Sequence, residues 1–404
     1  MGSKVSFRMS LVGFVPVVVL SAFAFTAFTA FTSDTNVGTP NFGDPLPGLT
    51  PDQLARFNEC KNEFAEVETV DEGLGPVFND SSCANCHNIA AVGGGGTLLE
   101  TRFGKMRSDG TFDPMGEFGG SLIQNFGIGP EGTCNYVPEI VPASATIRAD
   151  RRTTALFGLG LVDAVPDSTF YALAALERAF PDHTAGTVSV VTNLTTGRPA
   201  DGKFGWKGQN PTLFQFSGDA YINEMGITNP QFPAENCPEG DCGSLSCNPV
   251  QDMNDDGTGV LMFADFMSFL APPPRGPITG QVLLGNATFL AIGCANCHTP
   301  LLQTGSNPIA ALNKKFLAPY SDFLLHDMGS LGDGITQNLA TGKLMRTAPL
   351  WGVRKQLPLL HDGRAANLND AILAHAGQGQ KSRDRYAGLP QSQKNNLVAF
   401  LSSL

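Results

Sequence analysis

The spacing of apolar residues predicts an amphipathic helix near each end of this 404-residue chain. The first helix is predicted to begin at Thr50, because Thr50 and Gln53 match a capping box and Pro51 suits the first helical position. The second helix is predicted to close the chain. The apolar stripes of the two helices are formed by Leu54, Phe57 and Phe64, and by Leu397, Phe400, Leu401 and Leu404.

The middle of the chain has a weaker pattern. Residues 165–265 mix strand and loop signals, and Val188–Thr192 has the β-branched run typical of a strand. The chain contains 46 glycines and 28 prolines, and the run Gly93–Gly96 is incompatible with regular structure. Ala271–Pro277 is the clearest boundary. The predicted fold class is therefore mainly α with irregular loops and a few short strands.

The N-terminus has the features of an export signal. Two basic residues precede an apolar stretch, Met9–Phe25, and Ala22–Ala24 fits a cleavage site. We interpret residues 1–24 as a signal peptide and residues 25–50 as a linker or extended arm. An uncleaved membrane anchor is the alternative, because the apolar stretch is nearly long enough to span a bilayer. The expected location is the periplasm, with membrane attachment only if the segment is retained.

The same five residues, Cys-Ala-Asn-Cys-His, occur twice, at Cys83–His87 and at Cys294–His298. C-x-x-C-H is the attachment signature of a c-type haem. The two thiols form thioethers with the porphyrin, and the histidine that follows ligates the iron. The chain is therefore predicted to carry two covalently bound haems. Their thioether residues are Cys83, Cys86, Cys294 and Cys297, and their proximal ligands are His87 and His298.

The repeat extends beyond these motifs. Arg152–Leu159 and Arg346–Val353 share an R-T-x-x-L-[FW]-G element, one downstream of each motif. We interpret this as the duplication of one cytochrome c-like haem domain. The predicted N-terminal domain spans residues 51–270 and is enlarged by insertions, residues 271–277 form a linker, and residues 278–404 form the C-terminal domain.

The two copies differ at the position before the shared R-T element. Met345 stands there in the second copy, whereas Arg151 stands there in the first. A thioether is a soft ligand that raises the potential of a haem, whereas an arginine does not ligate iron. The hypothesis is that His298 and Met345 ligate an electron-transfer haem, while the haem at His87 keeps an open or weakly held sixth position. The alternative is that Met345 is an ordinary core residue.

These residues resemble the di-haem oxidoreductase family, some members of which are labelled thiol oxidoreductases, and which is related to the bacterial di-haem cytochrome c peroxidases. The resemblance implies peroxidase-like activity at the first haem. It also implies the iron-ligand role of Met345, four residues before Pro349. The distal Glu and Gln of the peroxidases have no clear counterpart, Gln124 being a weak candidate, so the catalytic residues stay unassigned. The matching stretches are Gly43–Thr50, Gly73–Phe78, Leu156–Leu161, Phe204–Lys207, Gly226–Pro230, Leu324–Gly329, Arg346–Gly352 and His361–Arg364.

Other polar and aromatic residues have weaker assignments. His326 and His361 are expected to hydrogen-bond around the second haem. Arg346 and Arg364 are candidate partners of the haem propionates. His183 is a minor candidate for the sixth ligand of the first haem, and most loop histidines are merely solvated. The remaining candidates are His375, expected in the last turn of a helix, and Trp206 and Trp351, each either an electron relay or a core residue.

Five cysteines lie outside the haem motifs. Disulfides are expected among them in an oxidising compartment, and Cys60 is the candidate for the free thiol because it lies near the first apolar stripe. A zinc site at Cys237, Cys242 and Cys247 is the minor alternative. Asp252–Gly257 matches the first half of a calcium loop, but Phe263 stands where a bidentate glutamate is required. Calcium binding therefore lacks a complete motif.

The charge of the chain limits its partners. A formal net charge of −11 argues against nucleic acid and anionic membranes, and suits a small basic electron-carrier protein as donor. The sequence thus favours a periplasmic peroxidase-like oxidoreductase that reduces peroxide or a similar oxidant. The alternatives are an electron-transfer cytochrome without its own substrate, and an enzyme that oxidises side chains of a partner protein.

Overall fold

The computed structural model describes residues 39–251 and 253–404. The predicted signal peptide and most of the predicted arm therefore lie outside the described residues. Within the described ranges, no helix is long and apolar enough to cross a membrane. The last part of the arm packs against the protein, because the amide of Leu46 donates to the carbonyl oxygen of Phe269 at 2.7 Å.

Helices are the longest elements. In chain order the α-helices are α1 Pro51–Phe64, α2 Cys83–Cys86, α3 Leu159–Asp163, α4 Asp167–Glu177, α5 Leu213–Met225, α6 Thr258–Phe269, α7 Gly280–Ala291, α8 Leu368–Ala374, α9 Gln380–Ala387 and α10 Gln391–Leu401. The strands are short, and most form two-stranded pairs. They are β1 Val77–Phe78, β2 Leu99–Met106, β3 Phe112–Asp113, β4 Phe126–Gly127, β5 Gly129–Glu131, β6 Cys134–Tyr136, β7 Ile147–Arg152, β8 Val190–Asn193, β9 Arg198–Asp201, β10 Leu302–Gln303, β11 Phe316–Leu317, β12 Leu325–Asp327 and β13 Leu344–Arg346. Helices are the longest elements, as the predicted mainly α class expects, but the described residues contain thirteen short strands rather than a few.

Helix α1 begins as the sequence predicts. The Thr50 hydroxyl accepts from the amide of Gln53, and the Gln53 side chain accepts from the amide of Thr50, which completes the capping box. Phe57 and Phe64 are buried, whereas Leu54 is 42% exposed. The Phe64 ring lies 4.8 Å from that of Phe266 on α6. The apolar stripe therefore begins at Phe57 rather than at Leu54.

Helix α10 also confirms its prediction. It packs against α7, where a Cβ on Gly285 would lie 2.0 Å from the carbonyl oxygen of Asn396. Glycine is required at this crossing because any side chain would push the helices apart. The Phe289 and Phe400 rings lie 5.2 Å apart across the same contact. The crossing supports the second haem motif, which follows α7 directly.

The prediction of a strand-and-loop mixture for residues 165–265 was partly wrong. The strand at Val188–Thr192 is found as β8, which pairs with β9, but α4, α5 and α6 occupy much of the remainder. Helix α5 contains Gly218, a poor helix former, because a Cβ there would lie 2.9 Å from Oδ1 of Asn229. Tertiary packing has therefore overridden the local sequence signal.

In the described residues, two large apolar cores pack beside the two repeated motifs, and a third, small cluster includes Phe103. The larger core joins α1, α4, α5 and α6, and it includes Leu302 and Phe323 from beyond the second motif. The smaller core joins α7 and α10 with Tyr320 and Tyr386. Between them, the paired strands β2 and β7 place Glu100 opposite Arg151, and β12 and β13 place His326 opposite Met345.

Candidate functional site

The first Cys-Ala-Asn-Cys-His segment forms α2 and ends at His87. Nδ1 of His87 lies 3.0 Å from the carbonyl oxygen of Gly94. A carbonyl oxygen only accepts hydrogen bonds, so Nδ1 carries the proton and Nε2 keeps its lone pair. Burial lowers the pKa of His87 to about 4, which keeps the ring neutral. A neutral imidazole that carries its proton on Nδ1 is the form that ligates iron through Nε2, and the backbone of Thr154 also hydrogen-bonds to this ring.

The glycine run encloses this motif. A Cβ on Gly94 would lie 1.9 Å from the carbonyl oxygen of Ile89, and a Cβ on Gly96 would lie 2.1 Å from that of Cys86. A side chain at either position would displace the backbone around the motif. The run is thus irregular, as predicted, and it places the Gly94 carbonyl against His87.

The second segment ends at His298 with the same hydrogen-bond pattern. Cys294–Asn296 forms a single 3₁₀ turn after α7. Nδ1 of His298 lies 2.9 Å from the carbonyl oxygen of Tyr320, so this ring also carries its proton on Nδ1. Burial lowers the pKa of His298 to about 4. The two histidines therefore share a hydrogen bond from Nδ1 to a backbone carbonyl.

The cysteines divide into two groups. Cys134 pairs with Cys247, and Cys237 pairs with Cys242. Disulfides use up all three thiols of the alternative zinc site, which is therefore wrong. Cys60 is free and fully buried, as predicted. The other free thiols of the described residues are those of the two repeated motifs, Cys83, Cys86, Cys294 and Cys297.

A cavity of about 280 Å³ adjoins the second motif. Its lining is mainly apolar, and it includes Cys294, Cys297, His298 and Met345. Met345 is 7% exposed and lies on β13 opposite His326. The sequence-predicted ligand and the second motif thus share one cavity.

His326 connects the second motif to a buried carboxylate. Its Nε2 lies 3.0 Å from Oδ2 of Asp322, and its Nδ1 lies 3.5 Å from Sγ of Cys297. Burial opposes the charge on His326, but the Asp322 carboxylate raises its pKa well above the usual value. Across residues 39–251 and 253–404, these three side chains form the one group of three with metal-ligand spacing. Because Cys297 belongs to the repeated motif, we assign the group to the surroundings of that motif.

Arg151 occupies a different environment from Met345. Its guanidinium Nη2 lies 2.6 Å from Oδ2 of Asp333, and its Nη1 lies 2.6 Å from Oε1 of Gln337. Nζ of Lys207 lies 2.8 Å from Oδ1 of the same Asp333. Arg151, Asp333 and Lys207 are all buried. Arg151 and Lys207 are thus the two cations of a buried cluster whose anion, Asp333, comes from the second half of the chain.

A family model described as "Di-haem oxidoreductase, putative peroxidase" matches residues 144–404, about two thirds of the chain. The chain belongs to this family. The matched region contains the second motif and both R-T elements. The family implies haem as the cofactor, and the described residues fit it. They supply two neutral imidazoles that donate from Nδ1 to a backbone carbonyl, four thiols outside any disulfide, and an apolar cavity.

Several solved structures resemble this di-haem oxidoreductase at low identity. A MauG-like protein associated with microbial copper homeostasis has a TM-score of 0.40 and 14% identity, over 91% of this chain and 94% of that chain. A variant of the diheme peroxidase BthA from Burkholderia thailandensis has a TM-score of 0.39 and 14% identity, over 91% and 90%. Hydrazine synthase from Kuenenia stuttgartiensis has a TM-score of 0.39 and 14% identity, over 92% and 97%. No curated protein matches the chain.

Trp206 lies between the two R-T elements of this di-haem oxidoreductase. Its indole Nε1 donates to the carbonyl oxygen of Arg152 at 2.8 Å, and its carbonyl oxygen accepts from the amide of Arg346 at 2.9 Å. Trp351 is buried in the larger core, where a Cβ on Gly158 would lie 2.8 Å from its ring. Trp206 therefore hydrogen-bonds to both R-T elements, whereas Trp351 joins them by core packing against Gly158.

An acidic cluster beside the first motif was missed by the sequence analysis. Glu224, at the end of α5, accepts from Nδ2 of Asn79 at 2.8 Å, and its carbonyl oxygen accepts from the amides of Asn79 and Asp80. Burial, together with nearby Glu100, raises the pKa of Glu224 to about 8. Arg102 pairs with Glu100. The cluster members lie far apart in the sequence, so spacing gave no signal for them.

Gln124 has a supporting position near this cluster. Its side-chain Nε2 donates to the carbonyl oxygen of Asn223 at 3.3 Å, and its backbone N–H donates to the carboxylate of Glu139. The side chain is 4% exposed. The side-chain amide of Gln124 is thus already bound to the end of α5. Glu224 is therefore the better candidate for proton transfer.

The remaining candidates lie around the second motif or on the surface. The guanidinium of Arg346 donates to the carbonyl oxygen of Gly205 at 2.7 Å, and Arg364 is half-exposed and pairs with Asp362. His361 lines the cavity and lies 6.2 Å from the Trp206 ring. His375 is the C-cap of α8, one residue beyond the last turn where it was expected; it also lines the cavity, and burial lowers its pKa.

His183 is exposed on a loop near the second motif. Its neighbour Asp182 pairs with Arg385, which also donates to the carbonyl oxygen of Ile292, just before Cys294. The loop therefore contacts the segment that leads into the second motif. This position does not favour His183 as a ligand of the first haem.

The predicted calcium half-loop has a structural role in the described residues. Asp252 lies outside them. Oδ1 of Asn254 accepts from the amide and hydroxyl of Thr228, at 2.9 and 2.7 Å. Oδ1 of Asp255 accepts from the amide of Gly259 at 2.9 Å, in the first turn of α6. These side-chain oxygens therefore fix the segment that leads into α6.

Proposed function

We propose that this protein is an exported, peroxidase-like di-haem oxidoreductase. Two c-type haems would be attached through Cys83 and Cys86 and through Cys294 and Cys297. His87 and His298 would be the proximal ligands, with Met345 as the second ligand at the His298 site. The hydrogen bonds from Nδ1 of both histidines support these roles, because they place the proton on Nδ1, which is the tautomer that ligates iron through Nε2.

One observation carries the division of labour. Met345 lines the same cavity as His298, whereas Arg151, at the corresponding place in the first copy, is held by Asp333. The first site therefore receives no thioether from this position. Once bound, the two haems supply one-electron chemistry, with the Met345 site suited to receive electrons and the His87 site to react with peroxide or a similar oxidant. The donor would be a small, basic electron-carrier protein.

Peroxide reduction to two water molecules consumes two electrons and two protons. Glu224 is placed to hold one proton beside the first motif, because burial raises its pKa to about 8. Below that pH the carboxyl group is neutral and can donate its proton. Arg102 balances the charge of Glu100 next to it. The chain thus provides a proton-holding group where the proposed chemistry needs one.

The location also belongs to this proposal. Cys134–Cys247 and Cys237–Cys242 are the disulfides expected of a chain that folds in an oxidising compartment. The N-terminal segment has the features of a signal peptide, and c-type haem is attached outside the bacterial cytoplasm. We therefore propose that the protein acts in the periplasm.

Electron paramagnetic resonance of the ferric protein tests the division of labour. We expect one high-spin and one low-spin haem, and turnover of hydrogen peroxide in the presence of a reduced cytochrome. Two low-spin haems without a reaction would favour an electron-transfer cytochrome. A long-lived oxidised state that a reduced cytochrome does not discharge would favour oxidation of a partner protein.

Replacing Glu224 by glutamine is expected to lower peroxide turnover about 100-fold, within the range for loss of a general acid. Wild-type turnover should fall above about pH 8, as the Glu224 proton is lost, since burial raises the pKa of Glu224 to about 8. This limb should vanish in the variant. The measurement is a pH profile of turnover, with Glu239→Gln, an exposed carboxyl, as the control. An unchanged alkaline limb in the Glu224 variant would rule out this role.

Replacing Trp206 by phenylalanine is expected to slow electron exchange between the haems roughly tenfold, a barrier change of about 1.4 kcal/mol. The reason is that Trp206 bridges the two R-T elements. The measurement is the rate of internal electron exchange after rapid partial reduction, with both ferric spectra intact. Trp351→Phe is the matched control for packing, because Trp351 joins the same two elements through its contact with Gly158, and it should leave the rate unchanged. Equal slowing in both variants would argue for a packing effect.

A further inference from the structure

Lys207 has an ammonium group that is fully buried. Nζ donates to the carbonyl oxygen of Leu344 at 2.7 Å and to that of Thr341 at 3.0 Å, and it lies 2.8 Å from Oδ1 of Asp333. These contacts satisfy all three of its N–H donors. Two of the three acceptors belong to the segment that leads into Met345.

The loop that carries Lys207 contacts β13 on both sides of Met345. Lys207 binds the carbonyl oxygen of Leu344, immediately before Met345. The carbonyl oxygen of Trp206 accepts from the amide of Arg346, immediately after it, at 2.9 Å. Strand β13 has three residues and pairs with one partner strand, β12. This short strand therefore depends on the loop for its position.

Stability alone is a poor explanation for the buried charges. Burying an ammonium removes it from water, and well-packed apolar residues often serve equally well in place of a buried ion pair. The Lys207 charge is balanced by Asp333, which also binds Arg151. What an apolar side chain would not supply is a donor to the backbone before Met345. The cluster therefore points to a positioning role.

We propose that Lys207 is a positioning residue for Met345, and that the Asp333–Arg151 pair holds Lys207 in place. This inference rests on the proposed function, in which Met345 ligates the second haem. It makes that ligation depend on Arg151, the residue that replaces the methionine in the first copy. The position before the R-T element would thus serve the second haem in both copies of the repeat. Met345 would ligate that haem, and Arg151 would help to hold Lys207, which positions Met345.

The test compares the ferric holoprotein with its Lys207→Met variant. We expect the variant to retain both attached haems but to show a weaker absorption band of methionine-ligated ferric haem. Added imidazole should bind to the second haem roughly tenfold more tightly, because a larger fraction of molecules has Met345 released. The midpoint potential of that haem should fall. The readouts are the visible spectrum, an imidazole titration and a redox titration.

Gln337→Leu is the matched control. It removes a contact of Arg151 but none of the three contacts of Lys207, so its band and imidazole affinity should equal those of the wild type. Lys207→Gln is the milder second variant, in case Lys207→Met does not fold, because its amide can still donate to part of the acceptor set. We expect an intermediate imidazole affinity for it.

The outcomes separate the two proposals. Absence of the methionine band in the wild type would overturn the ligand role of Met345. A normal band and normal imidazole affinity in either folded Lys207 variant would overturn the positioning role alone. An effect of the same size in Gln337→Leu would also overturn it, because that variant keeps all three contacts of Lys207 and the change would then have another cause.

Discussion

Replacing His87 by alanine should lower peroxide turnover at least about 100-fold. The absorption spectrum of the haem at the Met345 site should stay unchanged. The variant loses the proximal ligand of the first haem, but Cys83 and Cys86 still retain the haem covalently. The second motif has its own ligand, His298, positioned by the Tyr320 carbonyl, so electron uptake there should continue. The measurements are steady-state peroxide turnover with a reduced cytochrome, and ferric and ferrous spectra of the same sample.

His183→Ala is the control for this prediction, since His183 is exposed on a loop beside the second motif. Its turnover should equal that of the wild type. A His87 variant that still turns over peroxide would place the reaction at the second site. If the wild type shows no peroxide turnover, and the His87 variant differs from it only in the spectrum of one haem, the protein would be a simple electron carrier.

The sequence was sufficient where the signal is local. The motif residues Cys83–His87 and Cys294–His298 identify themselves by spacing, and the capping box at Thr50 starts α1 where it was predicted. Met345 is the candidate ligand because a repeat aligns it with Arg151. The structure adds that Met345 shares a cavity with the second motif. Each of these predictions rests on residues that are adjacent in the sequence or on a pattern that recurs along it.

The sequence was insufficient where partners come together from distant segments. Glu224 contacts Asn79, and Arg151 contacts Asp333, and no spacing rule joins either pair. Helix α5 was missed because Gly218 weakens the local helix signal and is required by packing. The contrast between Arg151 and Met345 was visible, but the partner of Arg151 was not. The ion pair gives that contrast its physical basis.

Replacing Arg151 by methionine is expected to destabilise the protein by about 3–5 kcal/mol, the usual cost of breaking a buried ion pair by removing one partner. The Arg151 side chain is 2% exposed and binds Asp333 through Nε and Nη2. Its removal leaves Asp333 with Lys207 as its one remaining cation among the contacts described above. The measurement is the free energy of unfolding of the holoprotein in denaturant, followed by tryptophan fluorescence.

The same substitution restores the methionine of the second copy at the first-copy position. The introduced side chain would occupy the space between β7 and Asp333, so we expect the first haem to stay high-spin. Arg148→Met is the matched control, because Arg148 lies on the same strand with 63% of its side chain exposed. It should change stability by no more than about 0.5 kcal/mol. A first haem that becomes low-spin in the Arg151 variant, without loss of stability, would show that this position faces the iron.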